Sequence, residues 1–241
     1  MTRAPLRLGI VGAGKLGTAL ARVAVAAGYD VAISGSGPAE RIALIVDVLA
    51  PGARAATTDE VVRHAEVIVL AVPMNRFREL PRELFAGKVV IDAMNYWEPT
   101  DGVDEELAGA PRGTSVVVQA WFSSARVVKS LNQLGYHDLE ASVRPRDAPD
   151  RVRIAAAGDD RMTVRTVVGL VDRLGFDGVD GGTLEAGRAL EPSPGAPTEG
   201  QRGELPEVPW CSGDDHASPD PRARDAADRP APRDRGARPA S

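Results

Sequence analysis

The sequence feature that most constrains the fold is a glycine pattern that joins a short apolar run to a helical segment. The run "LRLGIV" leads to Gly12, and Gly12, Gly14 and Gly17 have the spacing G-x-G-x-x-G. An Ala- and Leu-rich segment over residues 15–27 follows and stops at Gly28. A buried strand, a tight turn and a helix in this order open the βαβ unit in which a pyrophosphate meets a helix N-terminus. The pattern predicts a dinucleotide-binding fold; the alternative is a glycine turn without a ligand.

The rest of the chain up to about residue 190 continues this alternation. Apolar runs typical of buried parallel strands alternate with helical patterns. Right-handed crossovers make such a sheet doubly wound. We therefore predict an α/β fold: a Rossmann domain over residues 1–125, a small α/β C-terminal extension over 126–191 and a disordered tail over 192–241. "NRFRELPRELF" is expected to form a helix that Pro81 interrupts.

The tail differs sharply from the rest in composition. Residues 192–241 contain ten prolines and almost no large aliphatic side chains beyond Leu205 and Val208. Such a segment cannot bury enough apolar area to offset its chain entropy. Its Cys211 is then an exposed thiol. One hypothesis is that a shifted reading frame encodes the tail, and the other is a degenerate or functional extension.

Composition narrows the class of protein. The net charge of −5 gives no reason to expect nucleic acid or an anionic membrane as a partner. A single cysteine excludes an internal disulfide framework, and no His/Cys/acid cluster predicts a metal site. No apolar run reaches the roughly 18–20 residues of a membrane span, and the N-terminus lacks a signal-peptide pattern. A cytoplasmic protein is expected.

The end of the second predicted strand indicates which dinucleotide binds. An Asp or Glu that holds the ribose of NAD is usual there, but this chain has "SGSG" over residues 34–37. Ser34, Ser36 and free backbone N–H groups can donate to the 2′-phosphate of NADP, and Arg41 lies one turn into the next helix. The loop therefore favours NADP(H), unless it is only a turn with suitable residues.

Residues at the ends of the later strands are candidates for the rest of the site, because ligands of doubly wound sheets bind at the carboxyl ends. Val72 and Pro73 could pack on the adenine or ribose, and Asn95 could bond a ribose or the nicotinamide. Lys129 and Asn132, in "KSLN", could face the nicotinamide pocket. For each of these residues a structural role is the alternative.

Five segments together resemble the NADPH-dependent reductases of the deazaflavin coenzyme F420, over roughly residues 6–191. They are "GIVGAGKLGTALA", "ISGSGPAE", "VIVLAVP", "VVIDAMNYW" and "ARVVKSLNQLGYHDLE". The chain is also similar to a broader set of NADP-binding oxidoreductases and, more distantly, to pyrroline-5-carboxylate reductase. One departure is visible: Gly37 stands where the deazaflavin reductases have an arginine.

The resemblance implies a homodimer that binds NADP(H), with coenzyme F420 as co-substrate. It also implies a role for each matching residue. Gly12, Gly14, Lys15, Leu16 and Gly17 would hold the pyrophosphate; Ser34 and Ser36 would meet the 2′-phosphate; Val72, Pro73, Ala93, Met94 and Asn95 would line the nucleotide and nicotinamide ribose; and Lys129 and Asn132 would lie by the redox centre.

The expected activity is hydride transfer between NADP(H) and an acceptor, with coenzyme F420 as the first choice. The cofactors carry that chemistry, which agrees with the lack of an acid–base dyad in the sequence. Two alternatives stay open: an NADPH-dependent reductase of a small imine or carbonyl compound, and a non-catalytic NADP-binding sensor.

Overall fold

The computed structural model describes residues 6–192, which form a six-stranded parallel sheet with helices and a second, two-stranded sheet. The strands are β1 Arg7–Val11, β2 Asp30–Ser34, β3 Arg54–Ala55, β4 Val67–Leu70, β5 Val89–Asp92, β6 Arg126–Lys129, β7 Arg153–Ala156 and β8 Asp177–Asp180. The helices are α1 Lys15–Ala26, α2 Glu40–Leu49, α3 Thr58–His64, α4 Glu98–Asp101, α5 Glu105–Ala108, α6 Thr114–Trp121, α7 Tyr136–Leu139 and α8 Arg161–Leu174, with 3-10 helices at Met74–Glu79, Arg82–Phe85 and Ala186–Leu190. The predicted disorder of the tail and its thiol at Cys211 lie outside the described residues.

The order of the large sheet is β3-β2-β1-β4-β5-β6, and all of its neighbouring strands are parallel. The connection direction therefore reverses between β1 and β4. In open α/β sheets this switch point opens a crevice at the carboxyl ends of the strands. The predicted doubly wound α/β fold is confirmed. β7 and β8 form the small parallel sheet of the C-terminal extension, packed with α8.

Alternate residues of each buried strand supply two hydrophobic cores, one on each face of the large sheet. Val69 and Ile91 belong to one core, whereas Ile68, Leu70 and Val90 belong to the other. Strands buried on both faces read as continuous apolar runs, which is why these segments were recognisable in the sequence.

Two features differ from the prediction or extend it. The segment around Pro81 forms two 3-10 helices instead of an interrupted α-helix, and Pro81 precedes the second of them. Proline has no N–H to donate to an α-helical ladder, so a continuous helix cannot cross it. The strand β6, which follows the predicted domain boundary at residue 125, completes the large sheet; the division of the chain into domains stays a prediction.

Among residues 6–192, no helix is both long and apolar enough to cross a bilayer.

Candidate cofactor and redox site

The three glycines of the fingerprint have three different environments. Gly12 has φ 119°, and a Cβ there would lie 2.2 Å from the carbonyl oxygen of Ala71. A Cβ on Gly17 would lie 1.8 Å from the carbonyl oxygen of Gly12, so α1 packs directly against the turn. A Cβ on Gly14 would meet no atom within 4 Å. Two glycines are therefore required by packing, and the third leaves room for a ligand to approach the backbone.

The N-terminus of α1 is available to an anion. Gly14 is its N-cap, no side chain caps it, and its first turn has no acidic residue. By contrast, Thr57 caps α3 in a capping box and Asp160 caps α8. Uncapped N–H groups and the helix dipole favour a phosphate at this position. This helix N-terminus is therefore suited to binding an anion.

The two serines of residues 34–37 are placed differently. Ser34 is fully buried, and its hydroxyl lies 3.2 Å from the hydroxyl of Thr58. The prediction that Ser34 meets the 2′-phosphate is therefore not supported, because the last residue of β2 points into the fold. Ser36 is exposed and lines the cavity described below. Ser34 contributes its carbonyl oxygen, which accepts from Gly12 N at 2.8 Å and ties the two loops together.

The side chain of Arg41 returns to this loop. Gly37 has φ 96°, and a Cβ there would lie 3.3 Å from Nη1 of Arg41. Both residues are exposed. The guanidinium thus lies next to the loop where the family resemblance has an arginine in place of Gly37. The exposed hydroxyl of Ser36 belongs to the same loop after β2.

A cavity of about 500 Å³ joins these parts into one groove. Its walls are the glycine turn, the loop after β2, the segment after β4 and the following 3-10 region. Its lining includes the predicted residues Gly12, Gly14, Ser36, Val72 and Pro73. It does not include the other predicted site residues, which are Lys15, Leu16, Gly17, Ser34, Arg41, Ala93, Met94, Asn95, Lys129 and Asn132.

Sequence reasoning missed several groove residues, among them Thr58, Arg76, Glu79, Leu80 and Pro81. Arg76 donates to Glu79 (Nη2–Oε2 2.6 Å). That hydrogen bond raises the pKa of Arg76, so it stays cationic. One signal in the sequence could have identified Arg76. The segment "NRFRELP" directly follows the carboxyl end of β4, where ligands of this fold bind.

A buried polar cluster lies at the ends of β5 and β6. Asp92 accepts from the Ser115 hydroxyl at 2.5 Å and from Met94 N at 3.0 Å. Lys129 is 0 % exposed; its ammonium lies 3.5 Å from Asp92 Oδ2 and donates to the carbonyl oxygen of Met94. The prediction that Lys129 lies by the redox centre stays a prediction; the structure shows that its ammonium is buried and held by Asp92 and the Met94 carbonyl oxygen. Lys129 fixes the course of the backbone after β5.

Ala93 and Met94 also lie at this edge, but both side chains are buried. Met94 packs in the core with Phe77 and Phe122. The prediction that these two side chains line the nucleotide therefore finds no support in their placement. What they present toward the crevice is backbone at the carboxyl end of β5.

Asn95 and Asn132 form a reciprocal amide pair across this edge. Asn132 Nδ2 donates to Asn95 Oδ1 at 3.0 Å, and Asn95 Nδ2 donates to the carbonyl oxygen of Asn132 at 3.1 Å. Asn132 is 7 % exposed and also donates to the carbonyl oxygen of Leu190 at 2.7 Å. Leu131, just before it, has φ 63°, which is strained for a leucine. Asn95 is half-buried and Asn132 holds its amide; that Asn95 contacts the nicotinamide ribose stays a prediction.

The extension contacts the fingerprint helix next to the phosphate site. Lys15 Nζ donates to the hydroxyl of Tyr136 at 2.9 Å, and Leu16 packs on the core behind it. Arg22 and Glu140 add an ion pair at 2.6 Å between α1 and the end of α7. The C-terminal extension therefore fixes the orientation of α1, whose N-terminus faces the groove.

Comparison with known proteins identifies the domain. Residues 7–96 match the family model described as coenzyme F420-dependent NADP oxidoreductase. Those residues hold the glycine turn, the loop after β2 and the ends of β4 and β5. No curated protein matches the chain significantly.

Solved structures share the fold over most of the chain. A hypothetical protein from Sinorhizobium meliloti is 27% identical, with a TM-score of 0.68 over 80% of this chain and 92% of that one. A candidate F420-dependent NADP reductase from Arthrobacter sp. FB24 is 22% identical, with a TM-score of 0.60 over 76% of this chain and 87% of that one. A reductive aminase from Aspergillus terreus, in complex with NADPH and ethyl levulinate, is 20% identical, with a TM-score of 0.53 over 76% of this chain and 56% of that one. Residues 7–96 thus resemble the coenzyme F420-dependent NADP oxidoreductases, and the predicted class of enzyme, an NADP-dependent oxidoreductase, is confirmed.

Proposed function

We propose that this protein transfers a hydride between NADP(H) and the deazaflavin coenzyme F420. The observation that carries the proposal is the match of residues 7–96 to the family model, and the groove between the glycine turn and the loop after β2 supports it. In the reducing direction the balance is NADPH + F420 + H⁺ giving NADP⁺ + reduced F420. The nicotinamide supplies the hydride, and the deazaflavin carbon accepts it.

The cofactor half of the site follows from the groove. The pyrophosphate is expected at the uncapped N-terminus of α1, where Gly14 leaves space. The 2′-phosphate is expected between the hydroxyl of Ser36 and the guanidinium of Arg41. Val72 and Pro73 line the same groove and offer apolar contact to the adenosine. These placements favour NADP(H) over NAD(H), because no carboxylate ends β2 to accept the ribose hydroxyl.

In the redox half, the residues position groups and take no part in proton transfer. Asn95 is expected to hydrogen bond to the nicotinamide ribose or carboxamide, because it lies half-buried just beyond the carboxyl end of β5. Asn132 and Lys129 are positioning residues: Asn132 orients the amide of Asn95, and Lys129 fixes the Met94 carbonyl. Hydride transfer requires that the two rings lie at the correct distance and angle and that water is excluded between them. A rigid strand edge provides those conditions.

The test is an absorbance assay with purified full-length protein, NADPH and coenzyme F420, in which each chromophore is followed separately. Stoichiometric loss of both oxidised F420 and NADPH supports the proposal. Turnover of small imines or carbonyl compounds without F420 reduction would assign the acceptor to the other reductase class. Tight NADPH binding with no turnover of any acceptor would make the protein a sensor and overturn the enzymatic proposal. The Asn95→Ala variant is expected to bind NADPH and to transfer hydride more slowly.

A further inference from the structure

A second cavity, called here the amino-edge cavity, lies at the edge of the large sheet opposite the groove described above. Its volume is about 580 Å³, and its walls are the first residues of β1, β4, β5 and β6 together with α8. Arg7 at the start of β1 lines this cavity, whereas Val11 at the end of the same strand lines the groove. The length of β1, roughly 13 Å, therefore separates the two sites. A ligand of the amino-edge cavity would not be the hydride acceptor.

Four cationic side chains line the amino-edge cavity: Arg7, Lys88, Arg126 and Arg173. Glu66 is the one carboxylate among its lining residues, and it forms an ion pair with Arg7 at 3.1 Å. Within the described residues, the other three cations form no ion pair with a carboxylate. The whole chain has a net charge of −5, so this excess of positive charge is local.

Backbone oxygens hold two of these cations in place. Lys88 Nζ donates to the carbonyl oxygen of Ala65 at 2.8 Å, and Arg126 Nη2 donates to the carbonyl oxygen of Gly87 at 3.0 Å. Asp160, which caps α8, interacts electrostatically with Arg126 but does not line the cavity. A neutral carbonyl group orients a cation without cancelling its charge. The cavity therefore attracts anions.

The floor of the amino-edge cavity is apolar and buried. Leu8, Val89 and Leu170 line it, and each is at most 9 % exposed. The guanidinium of Arg173 lies over the buried ring of Tyr29, with 5.5 Å between its Cζ and the ring centroid. Cations above an apolar floor fit a ligand that combines an apolar body with a negative charge.

A glycine in the middle of α8 leaves space in this cavity. Gly169 lines it, and a Cβ on Gly169 would meet no atom within 4 Å. Packing therefore does not require glycine at this position, although glycine is less favourable than alanine inside a helix. A glycine inside a helix usually has a packing or functional reason, and a ligand in the space beside Gly169 would supply one.

We propose that the amino-edge cavity binds a small organic carboxylate with an apolar body. The planar guanidinium groups of Arg126 and Arg173 match the geometry of a carboxylate, and Lys88 adds a third positive charge. The cavity volume lies within the range of small-molecule sites, about 300–1,000 Å³. The proposal depends neither on the acceptor of the hydride nor on the enzymatic activity.

The test is a titration of the ¹⁵N-labelled full chain with 2-naphthoate, followed by NMR, and with 2-naphthamide as an uncharged probe of nearly the same shape. We expect 2-naphthoate to shift the amide signals of Gly169 and Leu170. It should bind about 10-fold more tightly than 2-naphthamide, which is the ratio that one charge-assisted contact gives. Inorganic phosphate should bind at least about 10-fold more weakly than 2-naphthoate, because it has no apolar body to place on the floor.

Two variants separate the charge of the cavity from its space. Arg173→Met is expected to weaken 2-naphthoate binding about 10-fold and to leave 2-naphthamide binding nearly unchanged. Gly169→Leu is expected to abolish the binding of both probes, because its side chain would take the space that glycine leaves open. Arg165→Met, at an exposed position on α8 outside the lining, is the matched control and should bind both probes like the wild type. An unchanged affinity for NADPH reports that each variant keeps the fold.

Several results would overturn the proposal. Equal affinities for 2-naphthoate and 2-naphthamide, or wild-type binding of 2-naphthoate by Arg173→Met, would show that the cations do not recognise the carboxylate. Shifts confined to Gly12 and Gly14 would place the probe in the groove at the other edge of the sheet. No binding by the full chain, as when residues 1–5 or 193–241 fill the cavity, would contradict a ligand site. Phosphate binding as tight as that of 2-naphthoate would show that the apolar floor takes no part.

Discussion

The guanidinium of Arg41 lies beside the backbone of Gly37, close enough that a Cβ on Gly37 would come within 3.3 Å of Nη1. Gly37 has no side chain that could place a cation in this loop. Arg41, in the first turn of α2, places its guanidinium there instead. The positive φ of Gly37 lets the loop bend under this side chain. In the proposed function, this guanidinium is expected to favour a 2′-phosphate.

Replacing Arg41 by Ala is expected to weaken NADPH binding by about 10-fold while leaving NADH binding nearly unchanged, because one charge-assisted contact to the 2′-phosphate is lost. Titration by fluorescence measures both dissociation constants. Arg165→Ala, at an exposed position on α8, is the control and should change neither. A parallel loss for NADPH and NADH would place Arg41 at a part of the cofactor that both share.

Gly14 and Gly17 separate ligand binding from folding. Gly17→Ala is expected to lower the free energy of unfolding by at least about 2 kcal/mol, because its Cβ would overlap the Gly12 carbonyl oxygen. Gly14→Ala meets no atom and should keep the free energy of unfolding within about 1 kcal/mol of the wild type. It should nevertheless weaken NADPH binding by about 10-fold or more. Urea unfolding and cofactor titration measure the two effects, and a Gly14→Ala variant with wild-type affinity would contradict the pyrophosphate placement.

Lys129→Met is expected to destabilise the protein by about 3–5 kcal/mol, because it leaves Asp92 as a buried charge without its partner. The double variant Asp92→Asn/Lys129→Met should recover part of that loss, since neither buried charge remains. Urea denaturation of the three proteins measures the coupling. If Lys129→Met kept its stability but lost hydride transfer, Lys129 would be a contact to the reacting groups and the assigned positioning role would be wrong.

The ion pair between Arg22 and Glu140 makes a small contribution to stability that depends on pH. The hydrogen bonds from Arg22 hold the pKa of Glu140 below its ordinary value. A depressed pKa in the folded state stabilises the fold above the unfolded-state pKa of about 4.3, and that stabilisation is lost as the pH falls further. Glu140→Gln should therefore be less stable than the wild type at neutral pH, by under about 1 kcal/mol because the pair is largely exposed. The difference should vanish in unfolding experiments well below pH 4; a difference that grew with acid would contradict the assignment.

Most of the fold could be predicted because its signals are local. Each strand of the large sheet that is buried on both faces appears as an apolar run, and the glycine spacing at Gly12 identifies the first turn. The 3-10 geometry on either side of Pro81 could not be predicted, because the sequence shows where an α-helix fails and not which shorter helix replaces it.

The site could be predicted in its residue types but not in the direction of its side chains. Ser34 and Ser36 are equivalent in sequence, yet β2 turns the first inward toward Thr58. Lys129 ends a strand at the correct edge, but only the fold shows that Asp92 and the Met94 carbonyl enclose its ammonium. The position of Arg76 in the groove could not be predicted, because the sequence does not show how the chain turns after β4.

The most direct test of the central claim is isotope transfer. Full-length protein would be incubated with coenzyme F420 and NADPH carrying deuterium at both C4 positions of the nicotinamide, and the reduced deazaflavin would be analysed by mass spectrometry. The proposed function predicts reduced F420 that has gained a deuterium. Reduced F420 without deuterium, or no reduction of F420 although NADPH binds, would contradict direct hydride transfer by this protein.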